Sequence, residues 1–402
     1  MHVLFVHRAG SGQFAALIGS LVAEGAEVTL ITERPTQEAP GARQLVYAVE
    51  ETATQHPALA ATEYHLRTGE AVARLMERLQ RSDPPDVVLG HMGWGGMLFA
   101  RDALPDAALI GYCEYYYRST DSDLDFGTDE PIPPADRQRV RMRNAAQLLA
   151  LDTLDAAYAP TQWQRRQYPA AYRQRIAVCH DGIDTSVCRP STEATFILPD
   201  GRALSPGMPI VTFVARDLDP YRGYPEFMRA AAILAARHPD ALFVVVGGDG
   251  SGYGRPRADG NSWREAMSAE TGLEDRIVHI PWLPHENLIR LFQVSAVHVY
   301  LTVPFVLSWS LLEAMACGCL LVGSDTEPVK EVIRDGVNGL LAPFHDSEAL
   351  AERIAEALVS PALMRPLRRA ARDTVIAGYE RERCIIRQTG WIYQFGDEGA
   401  FA

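Results

Sequence analysis

A chain of 402 residues is too long for one ordinary hydrophobic core, and 47% hydrophobic with 22% charged residues is the balance of a globular enzyme. Its net charge of −13 offers no overall attraction to nucleic acid, and its positive charge is almost wholly arginine, Lys330 being the single lysine. The six cysteines (Cys113, Cys179, Cys188, Cys317, Cys319, Cys384) show neither a CxxC pair nor zinc-like spacing, and no apolar run approaches the ~20 residues of a bilayer span.

Met1 leads directly into the apolar strand Val3–His7 without a charged leader, so a cytoplasmic chain with buried, reduced thiols is expected. Short apolar strands then alternate with amphipathic helices, the grammar of parallel α/β sheets. In the first half the strands are Val3–His7, Glu27–Thr32, Gln44–Ala48, Val87–Leu89, Leu109–Tyr112, Ala156–Ala159 and Ile176–Val178, with helices at Phe14–Glu24, Glu63–Gln80 and Arg137–Ala150. A Pro-, Ser- and Thr-rich stretch, Asp184–Pro209, reads as the interdomain linker. The second half restarts with strands Ile210–Val214, Leu242–Val246, Ile277–His279, Val297–Leu301 and Leu320–Gly323, and helices such as Pro225–Arg237 and Ser347–Leu358. The expected fold is α/β, two Rossmann-like domains facing across a cleft. They span residues 1–185 and 186–382, and a C-terminal helix of about 383–402 packs back on the first. Ser119–Pro134 and Gly247–Gly260 read as long surface loops, the kind that often serve as lids or binding loops.

Three places carry chemistry. The turn His7-Arg8-Ala9-Gly10-Ser11-Gly12 joins a strand to a helix, where glycines let the backbone approach an anion. It does not complete GxGxxG and lacks the acidic residue of a dinucleotide fingerprint, so NAD is disfavoured, and turn glycines without a ligand stay open. Arg216 and Arg222 lie on one post-strand loop and could hold a diphosphate, or could be solvated loop arginines. In Ser308-Trp309-Ser310-Leu311-Leu312-Glu313, a helix start follows a Pro turn. Glu313 there could accept from a ribose diol, or close a capping box with Ser310.

The run Ser310–Gly318, continued through Leu320–Asp325 and Glu331–Leu341, closely resembles the donor-binding signature of family-4 retaining glycosyltransferases of the GT-B fold. Asp86–His91, Cys179–Asp184 and Arg216…Arg222-Gly223 resemble further segments of that family, so the likeness covers nearly the whole chain. It implies that Glu313 holds the donor ribose and that Arg216 and Arg222 neutralise the leaving diphosphate. Gly10 and Gly12 would close over that diphosphate, His91 would face the donor sugar, and Trp282–Pro284 would lie beside the nucleobase. Ser308, Trp309, Ser310 and Leu311 would offer helix-start amides. Two departures stand out: Phe305 replaces a glutamate that contacts the donor sugar, and Arg222 replaces a lysine.

The resemblance implies a hexosyltransferase that moves sugar from a UDP- or GDP-linked donor to a glycan or lipid-linked acceptor with retention. Arginines would take the place of a metal ion, and the setting would be bacterial polysaccharide or glycoconjugate synthesis. The alternative is a catalytically silent nucleotide-sugar-binding subunit, for which Phe305 speaks; an epimerase on the same fold would need acid/base residues that the sequence does not display. Glu114 and Tyr116, in an aromatic strand end, are candidate acceptor contacts. Arg137, Arg139, Arg141, Arg143, Arg165, Arg166, Arg173 and Arg175 could touch a membrane surface, or form a solvated helix face.

Overall fold

The computed structural model describes residues 1–50, 56–250, 252–254 and 256–398. The chain divides into two units, Met1–Gly182 with Arg381–Ala402, and Ile183–Glu380. Of the expected C-terminal helix, 399–402 lie outside the described residues, as do 251 and 255 of the expected Gly247–Gly260 loop.

The first unit is built on seven parallel strands: β1 His2–Val6, β2 Glu27–Thr32, β3 Arg43–Val46, β4 Val87–His91, β5 Ala108–Tyr112, β6 Ala156–Ala159 and β7 Ile176–Val178. Their order is β3-β2-β1-β4-β5-β6-β7. β1 and β4 are buried throughout, which is why they read as continuous apolar runs rather than alternating ones. The helix Arg381–Glu398 belongs to this unit. Its Cys384 and Ile392 join the core around Val3, Phe5 and Ile18, and Trp391 lies 5.5 Å from Tyr158.

The second unit has an antiparallel pair, β8 Phe196–Ile197 with β9 Ala203–Leu204, and six parallel strands. These are β10 Ile210–Asp217, β11 Leu242–Gly248, β12 Ile277–Ile280, β13 Val297–Tyr300, β14 Leu320–Ser324 and β15 Leu340–Ala342, ordered β12-β11-β10-β13-β14-β15. The stretch expected to be a linker, Asp184–Pro209, is instead part of this unit. Ala194, Phe196, Leu198 and Leu204 are buried with Val244, Ile280 and Leu291, so its scattered apolar residues are core.

One expected helix is two. Arg137–Ala150 divides at Asn144 into Pro134–Arg143 and Ala145–Thr153, because the Asn144 side chain turns away to bond the Tyr117 backbone. In each sheet the winding direction reverses at one point, between β1 and β4 and between β10 and β13. Open parallel sheets bind ligands at the carboxyl ends of those strands.

Candidate active site

In the second unit, β10 bulges between Val214 and Asp217, then meets a short turn, Pro220–Arg222. Asp219 caps that turn, its carboxylate accepting from the amides of Arg222 at 3.0 Å and Tyr253 at 2.9 Å. Burial pushes the Asp219 pKa up, against those hydrogen bonds. Gly223 ends the turn at φ +67, and a Cβ there would come within 2.6 Å of Leu301. The result is a fixed direction for Arg222. Its Nη1 donates to Tyr300 Oη at 3.1 Å, Thr302 Oγ1 at 3.0 Å and the Val306 carbonyl at 3.0 Å.

Arg216 is placed differently. Its side chain is 70% exposed, 3.6 Å from Asp217, with the guanidinium 4.9 Å from the Tyr253 ring centre. Arg222 approaches the same ring to 5.6 Å. Arg216, Asp219, Arg222, Tyr253, Tyr300 and Ser308 thus surround a cavity of about 240 Å³ at the β10–β13 switch point. That is smaller than the ~300–1,000 Å³ of pockets for whole drug-sized ligands, and its lining sets the two guanidiniums beside the carboxylates of Asp217 and Asp219.

The helix Trp309–Ala316 begins beside it, and two expectations bear on its start. Its cap is Ser308, whose hydroxyl accepts from the Ser310 amide at 3.4 Å, so Ser310 and Glu313 form no capping box. The amides of Ser308, Ser310 and Leu311 are already bonded, to Tyr300 Oη, Ser308 Oγ and the Ser308 carbonyl. Leu311 is wholly buried, Trp309 is exposed, and the Ser308 and Ser310 hydroxyls, 3.0 Å apart, stand at the helix start.

Glu313 is 8% exposed and takes a hydrogen bond from His285 Nε2 at 2.7 Å. His285 is aimed by Pro284, which starts the helix His285–Val294, while Trp282 is 72% exposed with its ring face available. A ligand atom each from Cys188, His285 and Glu313 lies within 4.8 Å of the others, a grouping that sequence spacing did not reveal because the three are more than a hundred residues apart in total span.

Phe305, expected in the donor-sugar pocket, is 3% exposed and does not line the cavity. It lies behind Tyr253, ring centres 4.7 Å apart, and edge-on to Tyr221 at 5.7 Å. A phenyl ring gains about 1.5–3 kcal/mol from such burial, which is why it turns inward where a carboxylate would face solvent. The missed residue is Tyr253, which projects from a Gly-rich loop with no sequence signal beyond being aromatic.

In the first unit the switch point gathers His7, Gln13, His91 and Glu114. Gly12, at φ +49, has no room for a side chain: a Cβ would lie 2.2 Å from His7 Cε1. Gly10, at φ +64, donates its amide to Thr32 Oγ1 at 3.0 Å, and the buried Ser11 hydroxyl next to it has no partner among the described residues. His91 Nδ1 accepts from the Gly93 amide at 3.0 Å, leaving Nε2 to donate to Glu114 Oε2 at 3.2 Å. Both nitrogens are committed and the side chain is buried; the ring, expected to face the donor sugar, is bonded to Glu114 in this structure. Gln13 Nε2 donates to the other carboxylate oxygen at 2.7 Å. Burial would raise the Glu114 pKa, but the His91 and Gln13 hydrogen bonds hold it below the usual carboxylate value. His7, 5.3 Å from the His91 ring, is lowered to about 4 by burial and by His91, and is neutral at pH 7.

Tyr116 does not join Glu114. It packs on Tyr168 at 5.3 Å and lines a separate cavity with Arg137 and Arg141. The expected cationic face also divides. Arg165, Arg173 and Arg175 donate to the carbonyls of Arg173, Tyr168 and Leu154, Arg139 pairs with Asp136 at 3.2 Å, and Arg143 covers the Tyr117 ring. Among the described residues no helix is long and apolar enough to cross a membrane.

With this geometry in place, the likenesses are specific. Residues 24–188 match the family model described as Glycosyl transferase family 4 group, and residues 200–374 match Glycosyl transferases group 1. A D-inositol 3-phosphate glycosyltransferase of Nocardia farcinica is 31% identical over 208 residues, 51% of this chain and 45% of that protein. An alpha-maltose-1-phosphate synthase of Mycolicibacterium smegmatis is 32% identical over 251 residues, 59% of this chain and 60% of its own length. The chain spans about half the length of the inositol-phosphate relatives it matches. Among solved structures, sucrose-phosphate synthase from Thermosynechococcus elongatus superposes with a TM-score of 0.73 at 18% identity, covering 98% of each chain. Anabaena HepE, solved with UDP-glucose, gives 0.71 at 13% identity, covering 98% of this chain and 100% of that one. The fold is therefore GT-B.

Proposed function

We propose that this chain, whose two units belong to glycosyltransferase families, moves a hexose from a nucleotide-diphosphate sugar to an acceptor hydroxyl with retention of anomeric configuration. The observation that carries the reading is the pair Arg216 and Arg222 on either side of one cavity at the β10–β13 switch point. As the bond from sugar to diphosphate breaks, negative charge grows on the leaving oxygen, and guanidiniums already in place stabilise it without reorganisation. The Arg222 anchor uses Nη1, leaving its other N–H groups without a protein partner among the described residues. Glu313 accepts from the donor ribose, exchanging its His285 hydrogen bond for hydroxyls, and Trp282 stacks on the base. The leaving phosphate itself takes the acceptor's proton on the face it departs from, which is what retention requires without a carboxylate nucleophile. The two guanidiniums meet the diphosphate charge, so the reaction as proposed does not require a metal ion. The donor is UDP- or GDP-linked, and the UDP-glucose bound by HepE makes uridine the first to test.

The buried Phe305 favours a second reading, a nucleotide-sugar-binding subunit without turnover of its own. One experiment separates them: purified chain with UDP- and GDP-linked hexoses, following release of the nucleotide diphosphate. Slow donor hydrolysis that is lost in Arg216→Ala/Arg222→Ala supports transfer. Tight donor binding with no release supports the silent subunit, and release that survives the double substitution removes the assigned site.

A further inference from the structure

We infer that the cavity between the segment Tyr116–Thr120 and the helix Pro134–Arg143 binds a phosphate-bearing acceptor, an inference that rests on the glycosyl-transfer reading and names its second substrate class. The cavity measures about 490 Å³, roughly twice the one beside β10, and lies wholly in the first unit. Arg137 and Arg141 sit four residues apart, hence on one face of the helix, and Arg118 enters from the facing segment. Other arginines of this helix are engaged: Arg139 with Asp136, Arg143 over the Tyr117 ring at 3.8 Å. Arg137 and Arg141 have no carboxylate at ion-pair distance among the described residues, and Arg118 has only Asp121, at 3.6 Å and 85% exposed. So loose an exposed pair contributes little and is easily exchanged for a better anion.

Two unpaired arginines on an open helix would be a solvated face. Here the opposite wall is pinned. Buried Asn144 accepts from the Tyr117 amide at 3.1 Å and donates to the Tyr117 carbonyl at 2.7 Å, clamping the segment against the helix end. Tyr116, braced on Tyr168, gives an aromatic surface of the kind that packs on a sugar or polyol ring. Three guanidinium forks around one open cleft match the oxygens of a phosphate monoester or diphosphate, whereas a neutral glycan would leave them without partners. The phosphate is the shared chemistry, whether it belongs to a soluble sugar or polyol phosphate or to a lipid-linked diphosphate.

The test uses the full chain carrying Arg216→Ala/Arg222→Ala, so that the cavity beside β10 no longer holds anions, titrated with inorganic pyrophosphate by calorimetry. Saturable binding is expected, weakened about tenfold or more when Arg137→Ala/Arg141→Ala is added and largely regained with Arg137→Lys/Arg141→Lys. Absence of binding in the starting variant, or equal binding with and without Arg137 and Arg141, overturns the inference. In transfer assays with the native donor site, a hexose phosphate in solution is compared with a polyprenyl diphosphate in phosphatidylcholine vesicles. A rise in acceptor KM for either one in Arg137→Ala/Arg141→Ala identifies the source, and unchanged KM for both again overturns the inference. Failure of the unsubstituted chain to consume any nucleotide sugar would sink the transfer reading instead, and leaves the pyrophosphate result to stand on its own.

Discussion

Arg222→Ala is the perturbation that the structure weighs most heavily. Arg222 is half-buried, held by three hydrogen bonds of 3.0–3.1 Å from one nitrogen, and so is positioned before any ligand arrives. Loss of one preorganised donor at a developing oxyanion costs about 2.7–4 kcal/mol, or ~10²–10³ in kcat. Arg216 is 70% exposed and makes one long contact to Asp217 at 3.6 Å, so water screens it, and its removal is expected to cost nearer 1 kcal/mol, about fivefold. Arg222→Lys keeps the charge, but a single ammonium cannot reach both the Tyr300–Thr302–Val306 wall and the cavity, and should fall between the two. The alanine variant strips a partner from Thr302 Oγ1 and the Val306 carbonyl, while Tyr300 Oη keeps the Ser308 amide. A stability loss of about 1–3 kcal/mol is the ceiling for that. The assay is steady-state release of nucleotide diphosphate, with melting midpoints measured beside it to separate folding from chemistry. Equal losses for Arg216→Ala and Arg222→Ala, or an Arg222→Ala rate within about threefold of the parent, would refute the assignment of the leaving-group contact.

Glu313→Ala should weaken nucleotide affinity about tenfold with little change in melting, since its protein partner His285 is largely exposed; unchanged affinity with a lowered midpoint would make the carboxylate structural. Gly12→Ala forces a methyl to 2.2 Å from His7 at positive φ, and a loss of about 1–3 kcal/mol is expected in thermal melting; a midpoint equal to the parent would contradict that packing. His7, lowered from 6.5 to about 4, contributes stability that is complete above pH 6.5 and is lost as pH falls toward 4, about 3 kcal/mol in all; His7→Gln should flatten the melting profile across that window, and an unaltered slope would remove His7 as the cause. Glu114 behaves in the same sense at lower pH, its stabilisation being present above the ordinary glutamate value and lost as pH drops through its depressed one. Glu114→Gln should leave nucleotide-diphosphate affinity unchanged or slightly higher while transfer slows, and a clear loss of affinity would place the diphosphate in the first unit.

The alternation of strands and helices was legible because parallel strands buried on both faces must be apolar along their length, as in Ile210–Val214 and Leu242–Val246. Of the candidate site, the sequence put Arg216 and Arg222 on one post-strand loop, and both line the cavity beside β10. The site was not legible where function depends on partners distant in sequence. Nothing around Phe305 says that Tyr253, some fifty residues earlier, will stand over it, or that His91 will spend both nitrogens on Gly93 and Glu114. Asp184–Pro209 misled for a related reason. Ala194, Phe196 and Leu198 alternate too briefly among Pro, Ser and Thr to mark a strand until β8 and β9 pair and point them inward.

The charges at the two switch points are disposed differently, and the proposed reading places the diphosphate at the second. In the first, Glu114 is held ionised and neighbouring His7 is kept neutral by burial, while Arg8 of the glycine loop is paired with Glu33 at 2.9 Å. Glycine turns of that kind bind anions through amides and helix dipole, yet the Gly10 amide is already given to Thr32. The positive φ at Gly10 and Gly12 is needed in any case for the close approach of His7 and Thr36, whether or not a phosphate is present. In the second unit Arg216 and Arg222 line one cavity together with Asp217 and Asp219; burial raises the Asp219 pKa, and Arg222 is anchored through neutral oxygens. On the proposed reading a dianionic leaving group meets the two guanidiniums at the β10–β13 end, and the ionised Glu114 is suited instead to hydroxyl groups, which donate to it and bring no charge of their own.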